Sequence, residues 1–162
     1  MTSNDLLRTL ELKRAAEDVT YRYQRLVDAK DLDGLAALVT DDVVLRRQDG
    51  EQRGRDAFLD LYRRFADSDV EVAQHMVTNV QVTELDPDTE DQRLQVDSCF
   101  LAITTHASGE ARLMWGRYCD DVVRRADRWL LAAKRITLVR TAYVEESALA
   151  SPDADSFGPR TP

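Results

Sequence analysis

The sequence predicts an α+β domain, with helices in the first part of the chain and long antiparallel strands after them. Three observations carry this. Up to Phe65, apolar residues recur at three- and four-residue spacing, the helical period. From Val70 onward, four runs of ten or more residues are rich in Val, Ile, Leu, Thr and aromatic side chains. The breaks between those runs are short enough for hairpins.

The first segment, about Asp5 to Ala29, reads as a long amphipathic helix. Leu12, Ala16, Val19, Tyr23 and Leu26 form its apolar stripe, and Asn4 or Asp5 serves as its N-cap. A short second helix follows, capped by Asp31, with Leu32, Leu35 and Leu38 as its buried face. Thr40-Asp41-Asp42 ends that helix, Val43 to Arg47 reads as a short strand, and Asp49-Gly50 as a turn. Gly54-Arg55-Asp56 opens a third helix, whose apolar face holds Phe58, Leu61, Tyr62 and Phe65. The long strands run from Val70 to Leu85, Leu94 to Thr105, Arg112 to Arg124 and Arg128 to Tyr143. Turns fall at Asp86-Pro87-Asp88, Ala107-Ser108-Gly109 and Ala126-Asp127. Strands this long exceed the usual length of about five or six residues, so strong twist and bulges are expected. A curled sheet closed by helices makes a cone, and a cone with one open end is a small-molecule pocket.

At 162 residues the chain fits one domain, read here as residues 1–146. Residues 147–162 read as a flexible tail, because Ser151 to Pro162 holds three of the four prolines. The formal net charge of −8 argues against nucleic acid and against an anionic membrane surface. No apolar run approaches the ~20 residues that span a bilayer, and Met1 to Asp5 does not begin a secretory signal. Cys99 and Cys119 lack metal-ligand spacing and read as two buried free thiols of a cytoplasmic protein.

Gln74-His75-Met76-Val77-Thr78-Asn79 holds one of only two histidines, inside a strand-like run. A histidine on a rigid strand is a candidate proton-transfer group, although a lone strand histidine is more often a surface or core residue. Strict alternation puts His75, Val77, Asn79 and Gln81 on one face and Met76, Val80 and Val82 on the other. The second face looks more like core. Either the pocket face is the polar one, or a bulge near Thr78-Asn79 flips the parity. Tyr118 and Asp120 share a face of the third long strand with Met114, and all three could line a pocket. Asp120 reads more simply as an ordinary strand-end carboxylate.

In order, the pieces Val27-Asp28-Ala29-Lys30-Asp31-Leu32-Asp33, Asp41-Asp42-Val43-Val44-Leu45, Gly54-Arg55-Asp56-Ala57-Phe58, His75 to Asn79, Gly116-Arg117-Tyr118-Cys119-Asp120 and Arg125 to Leu131 resemble a known pattern. It is that of the SnoaL-like domains of the nuclear transport factor 2-like superfamily. Within it the chain resembles lyases: bile-acid dehydratases, lindane dehydrochlorinase and, more distantly, scytalone dehydratase. The resemblance implies that His75 is a catalytic base, Asp28 its orienting carboxylate and Tyr23 an acid or hydrogen-bond donor. Arg135 looks similar to an arginine late in the last strand of the dehydrochlorinase. Scytalone dehydratase uses a second histidine, and His106, at a predicted strand end, is not matched to it. Tyr23 and Asp28 are five residues apart, about 140° around an ideal helix, so sharing a site requires a distorted helix end or a pocket that wraps around it.

The leading expectation is a cofactor-independent, metal-free lyase or isomerase. It takes a proton from a small, largely apolar, polycyclic or polyketide-like substrate, with dehydration as the first choice and isomerisation or cyclisation behind it. The alternatives are a non-catalytic small-ligand-binding module and a small structural subunit of a ring-hydroxylating dioxygenase. Homo-oligomers, dimers or trimers, are expected because long sheets of this kind leave an apolar outer face.

Overall fold

The computed structural model describes residues 2–85, 92–145 and 148 of the chain. The turn read at Asp86-Pro87-Asp88 and the tail from Ser151 lie outside them. The element order is α1 (Ser3–Asp28), α2 (Leu32–Leu38), β1 (Val39–Arg47), β2 (Gly50–Arg53), α3 (Arg55–Ala66), β3 (Val70–Glu84), β4 (Arg93–His106), β5 (Ala111–Arg125) and β6 (Arg128–Val144). The strands form one sheet in the order β2-β1-β6-β5-β4-β3. β1 runs parallel to β6, and every other pair is antiparallel. The α+β class, with three helices closing a curled, mostly antiparallel sheet, is as expected.

Three local readings need correction. The N-cap of α1 is Thr2: its hydroxyl accepts from the Asp5 backbone N–H at 3.2 Å, and the Asp5 carboxylate accepts from the Thr2 N–H at 2.7 Å. This reciprocal box satisfies two orphan helix donors, which neither Asn4 nor Asp5 does as a cap. Thr40-Asp41-Asp42 does not lie between α2 and the strand. It is already part of β1, at the register shift between Val39 and Val44 opposite β6. Gly50 does not merely close a turn, for it begins the short strand β2, paired with β1.

The helices pack on the concave face. α1 buries Leu12, Ala16, Val19, Tyr23 and Val27, and α3 buries Phe58, Leu59 and Tyr62. These meet Leu45, Leu94, Val96, Val122 and Leu131 from the sheet in one core. A smaller cluster of Phe100, Ala102 and Tyr118 lies beside it, packed by Val77, Met114, Ile136 and Leu138. At Gly116, where the β5–β6 register slips, an added Cβ would sit 2.1 Å from the Thr137 carbonyl oxygen and 2.8 Å from the Phe100 ring. Glycine there is what lets the strand pass close enough for Phe100 to stack on Tyr118, ring centroids 4.3 Å apart.

The helix ends are pinned to β3. The chain leaves α1 through Lys30 in the left-handed region (φ 55°), and its ammonium donates to the Val70 carbonyl at 2.6 Å. That bond fixes the last turn of α1 against the start of β3, an edge strand whose outward N–H groups need cover.

Candidate active site

The bulge that sequence parity left open is present. Asn79 has φ 55° and the β3–β4 register shifts between Thr78 and Gln81. Asparagine tolerates this conformation better than most residues. Before the bulge His75 and Val77 are the half-buried positions; after it they are Val80 and Val82. One side of β3 therefore changes from odd to even numbering, and His75 shares it with core valines.

Asp28 is the last residue of α1, where the helix dipole disfavours a negative charge by about 0.3–1 kcal/mol. Two hydrogen bonds from one partner offset this. Asp28 Oδ1 lies 2.5 Å from His75 Nδ1, and Asp28 Oδ2 accepts from the His75 backbone N–H at 2.9 Å. The carboxylate thus grips both the ring and the strand edge of the same residue. The His75 side chain is 13% exposed and that of Asp28 24%. With Nδ1 engaged, Nε2 has no protein partner among the described residues.

His75 lies on the wall of a cavity of about 360 Å³ between the sheet and α1 and α3. Much of the rest is apolar: Val27, Leu61 and Phe65 on the helix side, and Phe100, Met114, Ile136 and Leu138 on the sheet side. Tyr23, Tyr62 and Tyr118 supply phenols. The hydroxyls of Tyr23 and Tyr62 lie 2.6 Å apart. One of the two donates to the other, which leaves the second O–H free for a ligand. Burial pushes all three phenols well above their ordinary values, with neighbouring aromatic hydroxyls and Asp120 adding to the effect on Tyr23. Each therefore stays protonated at neutral pH and acts as a donor.

Tyr23 and Asp28 do not point the same way. Tyr23 enters the cavity floor, while Asp28 stands behind His75 at the cavity's side. Asp28 does not line the cavity itself and meets it only through His75, so the 140° separation needs no distorted helix.

Asp120, read as a candidate lining group, and Arg135, a substrate-binding candidate by its resemblance to an arginine of the dehydrochlorinase, are not among the cavity walls. Asp120 is buried below the floor, bonded through both oxygens to the fully buried Lys134 at 3.1 and 2.9 Å. The Lys134 ammonium also lies 3.7 Å from the Tyr118 ring centroid and 4.0 Å from that of Tyr23. Desolvation raises the Asp120 carboxyl and lowers the Lys134 ammonium, and their mutual attraction opposes both shifts. Arg135 follows Lys134 in β6 and so points to the outer face. There it lines a groove with Cys99 and Cys119, which are half-buried rather than buried. Burial, together with the Asp97 hydrogen bond, pushes the Cys119 thiol up to about 11, so it is protonated and weakly nucleophilic.

Sequence reasoning read a turn at Asp49-Gly50 but missed that this β1–β2 turn and Tyr62 line the cavity. Tyr62 read as plain core, although a tyrosine among Phe58, Leu61 and Phe65 signals a buried hydroxyl in need of a partner. Arg47, Gln48 and Asp49 line the cavity at its open end. Gln48 holds this turn against β6, donating to the Leu138 carbonyl at 2.7 Å and accepting from its N–H at 3.2 Å. Nothing in the sequence around Asp49-Gly50 pointed to the cavity. Among the described residues, no group of three His, Cys, Asp or Glu side chains is arranged to hold a metal ion, and no helix is long and apolar enough to cross a membrane.

Solved structures share this fold. A candidate scytalone dehydratase from Novosphingobium aromaticivorans DSM 12444 is 22% identical, with a TM-score of 0.73, and the match covers 88% of this chain and 91% of that one. The hexachlorocyclohexane dehydrochlorinase LinA-type3 from Novosphingobium barchaimii LL02 is 18% identical, with a TM-score of 0.75 and coverage of 90% and 99%. A protein of unknown function from Mycobacterium tuberculosis is 20% identical, with a TM-score of 0.69 and coverage of 86% and 78%. Likeness at these identities speaks to the fold alone. No curated protein matches the chain in sequence. The SnoaL-like domain family matches residues 8–135, and with three helices closed on a curled sheet around a cavity, the chain belongs to that family.

Proposed function

We propose that this protein is a lyase that eliminates water from a small, mostly apolar ring substrate by abstracting a proton from carbon. The observation that carries the reading is the His75–Asp28 pair, 2.5 Å between Nδ1 and Oδ1, with the imidazole on the wall of an apolar cavity. Asp28 keeps the proton on Nδ1, so the Nε2 lone pair is the base. As Nε2 takes the carbon's proton, the adjacent carboxylate stabilises the imidazolium that forms. The electron pair left on carbon expels the β-hydroxyl, which takes a proton from the O–H of the Tyr23–Tyr62 pair. Water leaves, and the phenolate left behind regains its proton from His75, directly or relayed through water. The two structural neighbours described as dehydratase and dehydrochlorinase types support an elimination.

A cavity of about 360 Å³ suits a two-ring molecule. The test is dehydration of 3-hydroxy-1-tetralone, whose product tautomerises to fluorescent 1-naphthol. The wild-type protein accelerates the reaction, and His75→Ala abolishes the acceleration with its near-UV circular dichroism intact. Wild-type rates in His75→Ala would end the proposal. The exposed side chains Met76 and Trp115, on the outer face of β3 and β5, support self-association of that face, which sedimentation at micromolar concentration would detect.

A further inference from the structure

The cavity reaches a second histidine through one residue. Thr104 is on the cavity wall, and its hydroxyl oxygen lies 3.1 Å from His106 Nε2. His106 is 4% exposed, and its Nδ1 lies 2.8 Å from Oδ1 of Asp69, in the turn before β3. Asp69 is 57% exposed. The hydrogen bond from His106 first, and the nearby Arg112 guanidinium among lesser causes, hold its carboxyl below the usual range. Thr104 and His106 are two apart in β4 and share its inward face.

The directions of these bonds follow from one another. A carboxylate only accepts, so His106 carries a proton on Nδ1 and donates it to Asp69. In the neutral ring Nε2 is then a lone pair, and the Thr104 O–H turns toward it. The hydroxyl proton is committed to His106, and the oxygen can offer a ligand only acceptor lone pairs. On the opposite wall the Tyr23–Tyr62 pair offers a donor. In register, His75 pairs with Ala102, and Thr104 lies two residues further along β4. Its Cα is therefore ~8 Å from that of His75, by the rise of two strand residues and one strand spacing.

We propose that Thr104 is a hydroxyl-recognising anchor, oriented by the His106–Asp69 pair, and that the substrate class is a two-ring molecule bearing an O–H donor about one ring's width from the carbon that faces His75. Thr104 touches the ligand; His106 and Asp69 are positioning residues. The inference rests on the cavity's binding a ring substrate, as argued above, but not on catalysis by His75.

The experiment titrates 2-naphthol, 2-methoxynaphthalene and naphthalene into the full chain and follows methyl NMR shifts of the cavity residues. The expected result is 2-naphthol binding about 5- to 10-fold more tightly than either partner lacking the donor. Thr104→Val brings that preference below about twofold while naphthalene affinity holds, and Thr104→Ser keeps it. The preference survives in His75→Ala, which excludes the His75 Nε2 lone pair as its source. Nitrogen-15 NMR of the wild type shows His106 protonated at Nδ1 and bare at Nε2. This readout does not require any variant to fold. The proposal is overturned by a preference that persists in Thr104→Val, by one lost in His75→Ala, by no binding of any of the three rings, or by a proton on His106 Nε2. Wild-type dehydration rates in His75→Ala with the naphthol preference intact would instead remove the catalytic reading and leave this one standing.

Discussion

Asp28→Asn probes the dyad with the least change in shape. Both Asp28 oxygens accept from His75, one from Nδ1 and one from the backbone N–H. Asparagine has one acceptor oxygen, so it can keep only one of those bonds. If its oxygen faces the ring, its NH₂ meets the backbone N–H donor to donor. If its oxygen faces the backbone, its NH₂ donates to Nδ1, which moves the ring proton to Nε2 and removes the base. Either arrangement also loses the carboxylate's attraction for the imidazolium. That attraction is about 4 kcal/mol at 4 Å with an effective dielectric near 20. The partial exposure of Asp28 screens it, and about 3–4 kcal/mol is the working figure. Dehydration of 3-hydroxy-1-tetralone should therefore slow about 10²- to 10³-fold in kcat, with naphthalene affinity within about twofold of wild type. A loss below tenfold would refute the reasoning. So would an equal loss of naphthalene binding, since that would mean the cavity had collapsed.

The remaining predictions concern the cavity floor and its support. Tyr23→Phe and Tyr62→Phe each strand the other's buried hydroxyl and should cost about 1–3 kcal/mol in urea unfolding; the double variant should cost clearly less than their sum. Additive losses would mean the hydroxyls are not paired. Lys134→Met leaves Asp120 buried without its counter-ion and should destabilise by about 3–5 kcal/mol at pH 7, whereas adding Asp120→Leu should recover most of it. Burial raises the Asp120 carboxyl in the fold above its unfolded value, so the native state favours the protonated form. The deficit of Lys134→Met against wild type should therefore be smallest near pH 4 and grow as pH rises; a deficit independent of pH would contradict this. Gly116→Ala forces a methyl against the Thr137 carbonyl and should cost about 1–3 kcal/mol, with the Phe100–Tyr118 stack disturbed in ring NMR shifts.

What the sequence made legible was whatever a period or a cap specifies locally. The apolar stripe of α1, the Asp31 cap and four long strands could be read because each residue's role depends on near neighbours. The bulge at Asn79 was anticipated only as one of two alternatives. Parity set core valines against His75, but no local rule said which would yield. Asp120 and Arg135 failed for a tertiary reason. Alternation placed Asp120 on the inward face, yet its depth is set by Lys134, which β6 brings in from fourteen residues on. Arg135 is one residue from Lys134, and in a strand one residue is the difference between the two faces. The turn at Asp49-Gly50 was legible, but strand β2 after it was not, because a Gly-Glu-Gln-Arg strand has no apolar face to reveal it. His75 and Asp28 came together through resemblance to a family, since forty-seven positions separate them in the chain.

The most direct test asks whether His75 removes a proton from carbon, without requiring any group to leave. In D₂O, 1-tetralone should exchange its C2 hydrogens in the wild-type protein, followed by loss of the C2 proton signal. His75→Ala should slow that exchange by at least about 100-fold while still binding naphthalene. Equal exchange by the two proteins would contradict the assignment of His75 as the base.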